Sequence, residues 1–300
     1  MEIKVSVDKI IIAYIGISLE LFNTYIAKNL CDFYHTTVKP NASKAFHYTV
    51  YLPENNGHYL HLSYKLLTEP KSLRYTLWAE THPDSMATFK QVFEVLSQNA
   101  REIQFVKCDV AFDIPRHKSD ILLVHRKGKV PQDKKNTTYY GRGNRREHGF
   151  CRFYDKKLQL EEEKNIFIDG ELSRIEVVYR PQARDRFNMS DLLDTPPAFI
   201  NSRYQCHILI DIDQLPHKKR TLVQALMSRD KRYKDISYYM RGELRKALDG
   251  TQLWVDFDTI ATEQWKEVMN PYVSLACGWH LSQKKKDALK DIFSHHPPSR

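Results

Sequence analysis

Through the first 180 positions the apolar residues run in short β-branched and aromatic blocks or alternate with polar ones, which predicts strands. Beyond position 190 they recur at helical spacing. Strands are predicted at Val5–Ile15, Phe46–Leu52, Tyr59–Lys65, Arg74–Ala79 and Phe105–Asp113. The turn Pro53-Glu54-Asn55-Asn56-Gly57 joins the second and third of these. Ser18 is placed to cap a helix whose stripe is Leu19, Leu21, Phe22 and Ile26, ending near Leu30. A second helix begins at Ser85 with Phe89, Val92, Phe93, Val95 and Leu96 on its apolar face. Residues 115–135 are polar and basic and read as one or two strands with a loop. Thr137–Gly141 and Gly149–Lys156 read as strands joined by the basic turn Arg142-Gly143-Asn144-Arg145-Arg146, and Glu171–Arg180 as another. Helices are expected near 190–200, 217–230, 235–248, 262–270 and 281–293. The pattern predicts an α+β fold: a curved, mostly antiparallel central sheet with flanking helices and a helix-rich C-terminal region. Pro181 and the polar run Arg184 to Arg186 suggest a boundary near 185, giving domains 1–185 and 186–300.

The chain has 300 residues, 42% of them hydrophobic, enough for a substantial core. Lys and Arg number 46 against 37 Asp and Glu, a formal charge of +9, and there are 17 Tyr and 14 Phe. Cations attract phosphates and flat rings stack on bases, so this balance suits nucleic acid, although it also describes a lysine-rich soluble surface. The five cysteines (Cys31, Cys108, Cys151, Cys206 and Cys277) are odd in number and contain no C-x-x-C. That argues against a disulfide framework or a zinc ribbon, and for a reducing, cytoplasmic setting. The apolar N-terminal run is flanked by acidic residues and reads as a strand, not a signal peptide. No stretch approaches the roughly 18–20 apolar residues of a membrane span, so no membrane partner is expected.

Three strand segments carry candidate chemistry, because residues two apart share a face. In Lys107-Cys108-Asp109-Val110-Ala111-Phe112-Asp113, the carboxylates of Asp109 and Asp113 point the same way across small Ala111. Two like charges on one face call for a cation or a proton, and a divalent metal with oxygen ligands is one answer. An aspartate at a strand end is also an ordinary turn or cap residue. In Arg174-Ile175-Glu176-Val177-Val178, Glu176 shares a face with Arg174, which alone reads as a surface ion pair. In Cys151-Arg152-Phe153-Tyr154-Asp155-Lys156, the residues Arg152, Tyr154 and Lys156 share a face with Phe153 behind. Flanking cations stabilise a phenolate and hold a phosphate near it, although such triplets are also common cross-strand partners.

Taken together, D-x-x-x-D, then Tyr-Gly-Arg, then Arg-Phe-Tyr-Asp-Lys-Lys and Arg-Ile-Glu resemble the rolling-circle replication initiators of Gram-positive plasmids and the related relaxases of conjugative elements. The specific stretches are TTYYGRGNRREHGFCRFYDKKLQLEEE at 137–163 and LSRIEVVYR at 172–180. DKRYKDISYYMRGELRKAL at 230–248 is similar to a basic helical segment in that family's C-terminal part. The resemblance implies a nucleophilic tyrosine at Tyr154, assisted by Arg152 and Lys156, and a divalent metal, Mg²⁺ or Mn²⁺, on Asp109, Asp113 and Glu176. It implies DNA contacts from Arg142, Arg145, Arg146 and Arg174, with origin recognition by Lys231, Arg232 and Lys234. An Arg-x-Glu motif of the family aligns with Arg74-Tyr75-Thr76, so Thr76 replaces a carboxylate. The chain has no His-x-His, and His58 and His61 fall on opposite strand faces, which favours a carboxylate-based site.

The implied activity is metal-dependent nicking and closing of DNA at a plasmid double-strand origin through a 5′-phosphotyrosine. The implied partners are DNA, a second copy in a homodimer, and a host helicase and polymerase. A relaxase acting at a transfer origin has the same chemistry. Two other readings remain: a DNA-binding regulator without catalysis, and a nuclease that hydrolyses with water.

Overall fold

The computed structural model describes residues 2–40, 46–54, 57–65, 75–127, 129, 131–141, 147–209, 211–249 and 252–294. The middle of the 53–57 turn, Arg74, the basic turn 142–146 and the tail from 295 lie outside the described residues. The protein is α+β with a large antiparallel sheet, as the hydrophobic pattern predicts. It divides into two compact units. The central unit takes Met1–Ser6, Asp109–Arg180 and Pro196–Trp265; the N-terminal unit takes Val7–Cys108, Pro181–Thr195 and Lys266–Arg300. The chain crosses from one unit to the other at 180/181, close to the composition change, and crosses back at 195/196, so each unit is assembled from separated segments. The change in composition there marks where helices become frequent, whereas strand pairing and burial draw on distant segments and set the units.

In the N-terminal unit the strands β1 (Lys4–Ile15), β2 (Lys39–Pro40), β3 (Tyr48–Pro53), β4 (Tyr59–Lys65), β5 (Thr76–Thr81) and β6 (Glu102–Ile114) follow the order β2-β3-β4-β5-β1-β6. Strand β1 enters this unit at Val7 and β6 leaves it after Cys108. Strand β4 alternates strictly, with Leu60, Leu62 and Tyr64 fully buried, because one face of the sheet is covered. The cover includes α1 (Leu19–Leu21), a π-helical stretch Phe22–Leu30 and α2 (Cys31–Phe33). Ser18 caps α1 as predicted, accepting from the Leu21 N–H at 3.1 Å. Phe22 then stacks on Tyr64 with ring centroids 4.3 Å apart. Helices α3 (Pro83–Thr88) and α4 (Lys90–Asn99) add Met86, Val92, Phe93 and Leu96 to the core.

In the central unit the order is β6-β11-β10-β9-β8, with β8 (Gln132–Lys134), β9 (Thr137–Tyr140), β10 (Cys151–Asp155) and β11 (Ser173–Tyr179). Helix α5 (Lys156–Lys164) follows β10 directly. A three-stranded sheet of β7 (Ile121–His125), β12 (Tyr204–Leu209) and β13 (Gln252–Trp254) has the order β13-β12-β7. Short α6 (Ile200–Arg203) leads into β12. Helices α7 (His217–Met227) and α8 (Tyr238–Leu248) build a cluster with β7 in which Leu122, Val124, Val223, Leu226 and Leu244 are buried.

The last helix, α9 (Phe257–Ser294), is continuous where two helices were expected. Pro271 lies inside it. Ala261, Trp265, Met269, Val273 and Ala276 stay buried at helical spacing across the proline, and that burial offsets the lost backbone hydrogen bond. No helix among the described residues is long and apolar enough to cross a membrane. All five cysteines are buried thiols.

Candidate active site

The register of the central unit brings the chemistry-bearing residues to one sheet face. Strand β10 pairs antiparallel with β11, setting Arg152 opposite Glu176 and Tyr154 opposite Arg174. Strand β6 flanks β11 on its other side and presents Asp109 and Asp113. The result is a lattice of alternating charge. The Arg152 guanidinium meets Glu176 Oε2 and donates from Nη2 to Asp109 Oδ2 at 3.3 Å. The Tyr154 hydroxyl donates to Glu176 Oε1 at 2.5 Å. Arg174 grips Asp113 with both arms, Nε to Oδ1 and Nη2 to Oδ2, each at 2.6 Å.

Burial is deep for a charged group of this size. Asp109, Glu176 and Tyr154 are 6%, 3% and 7% exposed. Buried charges persist only when paired and hydrogen-bonded, and each carboxylate here faces a guanidinium. Burial disfavours the Arg174 charge, but the hydrogen bonds and charge of Asp113 outweigh it and hold its pKa above the ordinary arginine value. The Arg152 side chain, at 28%, is more exposed than Asp109, Glu176 and Tyr154.

Lys156 departs from the expected strand face. Strand β10 ends at Asp155, and Lys156 is the first residue of α5. Asp155 stops the strand by capping the helix, accepting from the Leu158 N–H at 2.9 Å. Lys156 Nζ still comes back over the Tyr154 ring, 5.9 Å from its centroid, and also donates to Gln159 Oε1 at 2.9 Å. An aspartate before Lys-Lys-Leu-Gln-Leu-Glu is a legible N-cap, which the alternation of Arg152, Tyr154 and Lys156 masks. The other Asp155 oxygen faces His117 Nε2 at 3.7 Å.

Two carboxylate oxygens, Asp109 Oδ2 and Glu176 Oε2, converge on one cationic nitrogen, Arg152 Nη2. That is the donor set a hard divalent cation uses when one or two carboxylates and substrate phosphates complete its shell. Here Arg152 Nη2 holds the point between Asp109 Oδ2 and Glu176 Oε2, and Asp113 is turned to Arg174. Among the described residues no group of three or more His, Cys, Asp or Glu is disposed to hold an ion.

The residues expected to bind DNA come from three separate segments of the chain. Arg174 is committed to Asp113, and Arg142, Arg145 and Arg146 lie outside the described residues. Lys231, Arg232 and Lys234 are exposed but stand in the connection before α8, with Tyr233–Asp235 forming a 3-10 turn, not on a basic helix. Asp230 and Asp235 interrupt the basic run, and Arg232 forks onto Asp235 with Nη2 to Oδ1 at 2.9 Å. Thr76 begins β5 in the N-terminal unit, opposite Ile15 and Lys65. No protein-family model matches the chain, and no curated protein sequence matches it.

Proposed function

We propose that the protein is a cytoplasmic DNA nicking-closing enzyme that works through Tyr154, acting at a plasmid replication origin or a transfer origin. The single observation that carries this reading is the 2.5 Å hydrogen bond from the Tyr154 hydroxyl to Glu176, inside a group of two arginines and three carboxylates. A phenol with an ordinary pKa near 10 is a poor nucleophile at neutral pH unless a base takes its proton. Glu176 Oε1 is placed to take it. Arg152 is placed to bind the phosphate and to balance the charge that grows on it.

As the bond from the Tyr154 oxygen to phosphorus forms, the bond from phosphorus to the 3′ oxygen breaks. The leaving oxygen takes up a proton, giving a free 3′-hydroxyl and a 5′-phosphotyrosine. Attack by that hydroxyl reverses the step and rejoins the strand. Mg²⁺ or Mn²⁺, when bound by Asp109 and Glu176, would supply Lewis-acid polarisation of the phosphate. Asp113 with Arg174 braces the face from the next position along the strands.

The test is cleavage of supercoiled DNA carrying the cognate origin, together with trapping of a covalent adduct on a single-stranded oligonucleotide. Tyr154→Phe is expected to bring nicking and adduct below detection while origin binding persists. Nicking at the wild-type rate by this variant would sink the proposal.

The burial of Tyr154 favours a second reading, a DNA-binding regulator in which the lattice only holds the sheet together. In that case wild-type protein binds DNA and forms no adduct. Hydrolysis by water would instead leave nicks without an adduct.

A further inference from the structure

On the other side of β10 from Tyr154, the central unit holds a cavity of about 420 Å³, within the size range of small-molecule sites. Phe153 lines it, which fixes the side, since successive strand residues face opposite ways. Its walls are apolar and partly aromatic: Leu122 and Leu123 of β7, Tyr140 of β9, Phe153, and Leu226 and Met227 at the end of α7. The Tyr140 hydroxyl is used up on the Leu123 carbonyl at 2.8 Å, so the ring offers the cavity a flat surface.

The charge at the cavity is one-sided. Lys118, Lys129, Arg229, Lys231 and Arg232 line it, and no Asp or Glu stands among the described lining residues. Arg229 and Arg232 are balanced from outside by Asp133 and Asp235. Lys118 Nζ reaches over the Phe153 ring, 5.4 Å from its centroid, and donates to the Asn136 carbonyl at 2.8 Å. Asp155, outside the lining, offsets part of the Lys118 charge, so Lys129 and Lys231 carry the charge left for a ligand. The single carboxylate of a fatty acid would match only part of that charge, whereas a phosphate monoester carries up to two negative charges near neutral pH. The rings of His125, Tyr140, Phe153 and Tyr233 suit a flat body better than a flexible chain.

We propose that this cavity binds a nucleotide, with the base against the Tyr140 and Phe153 wall and the phosphate on Lys118, Lys129 and Lys231. The nucleotide is either free or one unit of a single strand. The site shares no residue with the Tyr154 lattice and does not depend on nicking chemistry.

The experiment titrates the full chain by calorimetry with dAMP, dTMP, deoxyribose 5-phosphate, laurate and a short oligonucleotide with or without one abasic unit. A nucleotide, free or in the strand, should bind at least about tenfold more tightly than its base-less counterpart, a difference of ~1.4 kcal/mol. Binding of the mononucleotides identifies a free ligand. Binding of the oligonucleotide alone, weakened by the abasic unit, identifies a strand. Lys129→Ala with Lys231→Ala, both exposed positions that leave the core intact, should weaken binding about tenfold or more. Met227→Trp should fill the cavity and erase the preference for a base. Tyr154→Phe should bind nucleotide normally, so loss of nicking and loss of this site are read separately. Equal affinity for deoxyribose 5-phosphate and dAMP without any abasic effect, binding of laurate alone, or no binding would each overturn the proposal.

Discussion

The two sides of β10 are built on opposite principles. One side sets Arg152 and Tyr154 against Glu176, Asp109, Arg174 and Asp113, and it is held by directional, charged hydrogen bonds. The other side sets Cys151 and Phe153 near Tyr140, whose ring meets Tyr204 edge-on at 5.8 Å, and it is held by burial. Tyr154 and Glu176 on the first side, and Cys151, Phe153 and Tyr140 on the second, are buried. An apolar face gains by excluding water, whereas a buried ionic face must first repay the loss of hydration. Such a lattice is therefore weak support for stability, and apolar residues of similar volume would serve the sheet as well.

The largest expected effect separates the two faces by function. Glu176→Gln keeps the shape and removes the base, and should lower the nicking rate about 10²–10⁴-fold, the usual worth of a positioned base. Single-turnover rates would measure this, and an unchanged rate would remove Glu176 from the mechanism.

The next effect is on stability. Arg174→Met leaves the Asp113 carboxylate without its fork and should cost about 3–5 kcal/mol in denaturant unfolding. Pairing it with Asp113→Leu should recover most of that loss, because two apolar groups need no mutual compensation. A double variant as unstable as the single one would show that the ion pair itself holds the sheet.

A smaller, graded effect comes from pH. Burial pushes His125, His148 and His207 down to about 4, with nearby arginines and lysines adding to the shift. Between about pH 6.5 and 4 the unfolded chain binds more protons than the folded one, so stability rises with pH across that window. The central unit, which holds all three, should lose on the order of a few kcal/mol on acidification from 6.5 to 4. Unfolding followed at both pH values checks the sign. Tyr154→Phe should have the smallest effect on folding, about 2 kcal/mol for one hydrogen bond to a carboxylate. That margin keeps it usable as the catalytic test.

Much of the fold is legible along the chain because strand and helix periods are local. Strand β4 coincides with its predicted span, and β1, β6 and β11 fall within three residues of theirs. Strand β12 was missed, since Tyr204-Gln-Cys-His-Ile-Leu shows neither alternation nor a β-branched run, and it is buried on both faces between β7 and β13. Helix α5 was missed because Lys156 continues the alternation of β10, and only the Asp155 cap gives the break away.

For the site, the sequence by itself determined which residues share a face within each strand: Asp109 with Asp113, Arg152 with Tyr154, and Arg174 with Glu176. Side-chain alternation is a property of a single strand and needs no neighbour. What the tertiary structure alone decided is which strands lie side by side and in what register. That register gives Tyr154 to Glu176, gives Asp113 to Arg174, and lets Arg152 bridge Glu176 and Asp109. A one-residue slip would turn the same side chains to the apolar side. The cavity around Phe153 belongs to the same class of outcome, since its walls come from β7, β9, β10 and α7, and no local pattern in the chain marks segments that meet only after folding.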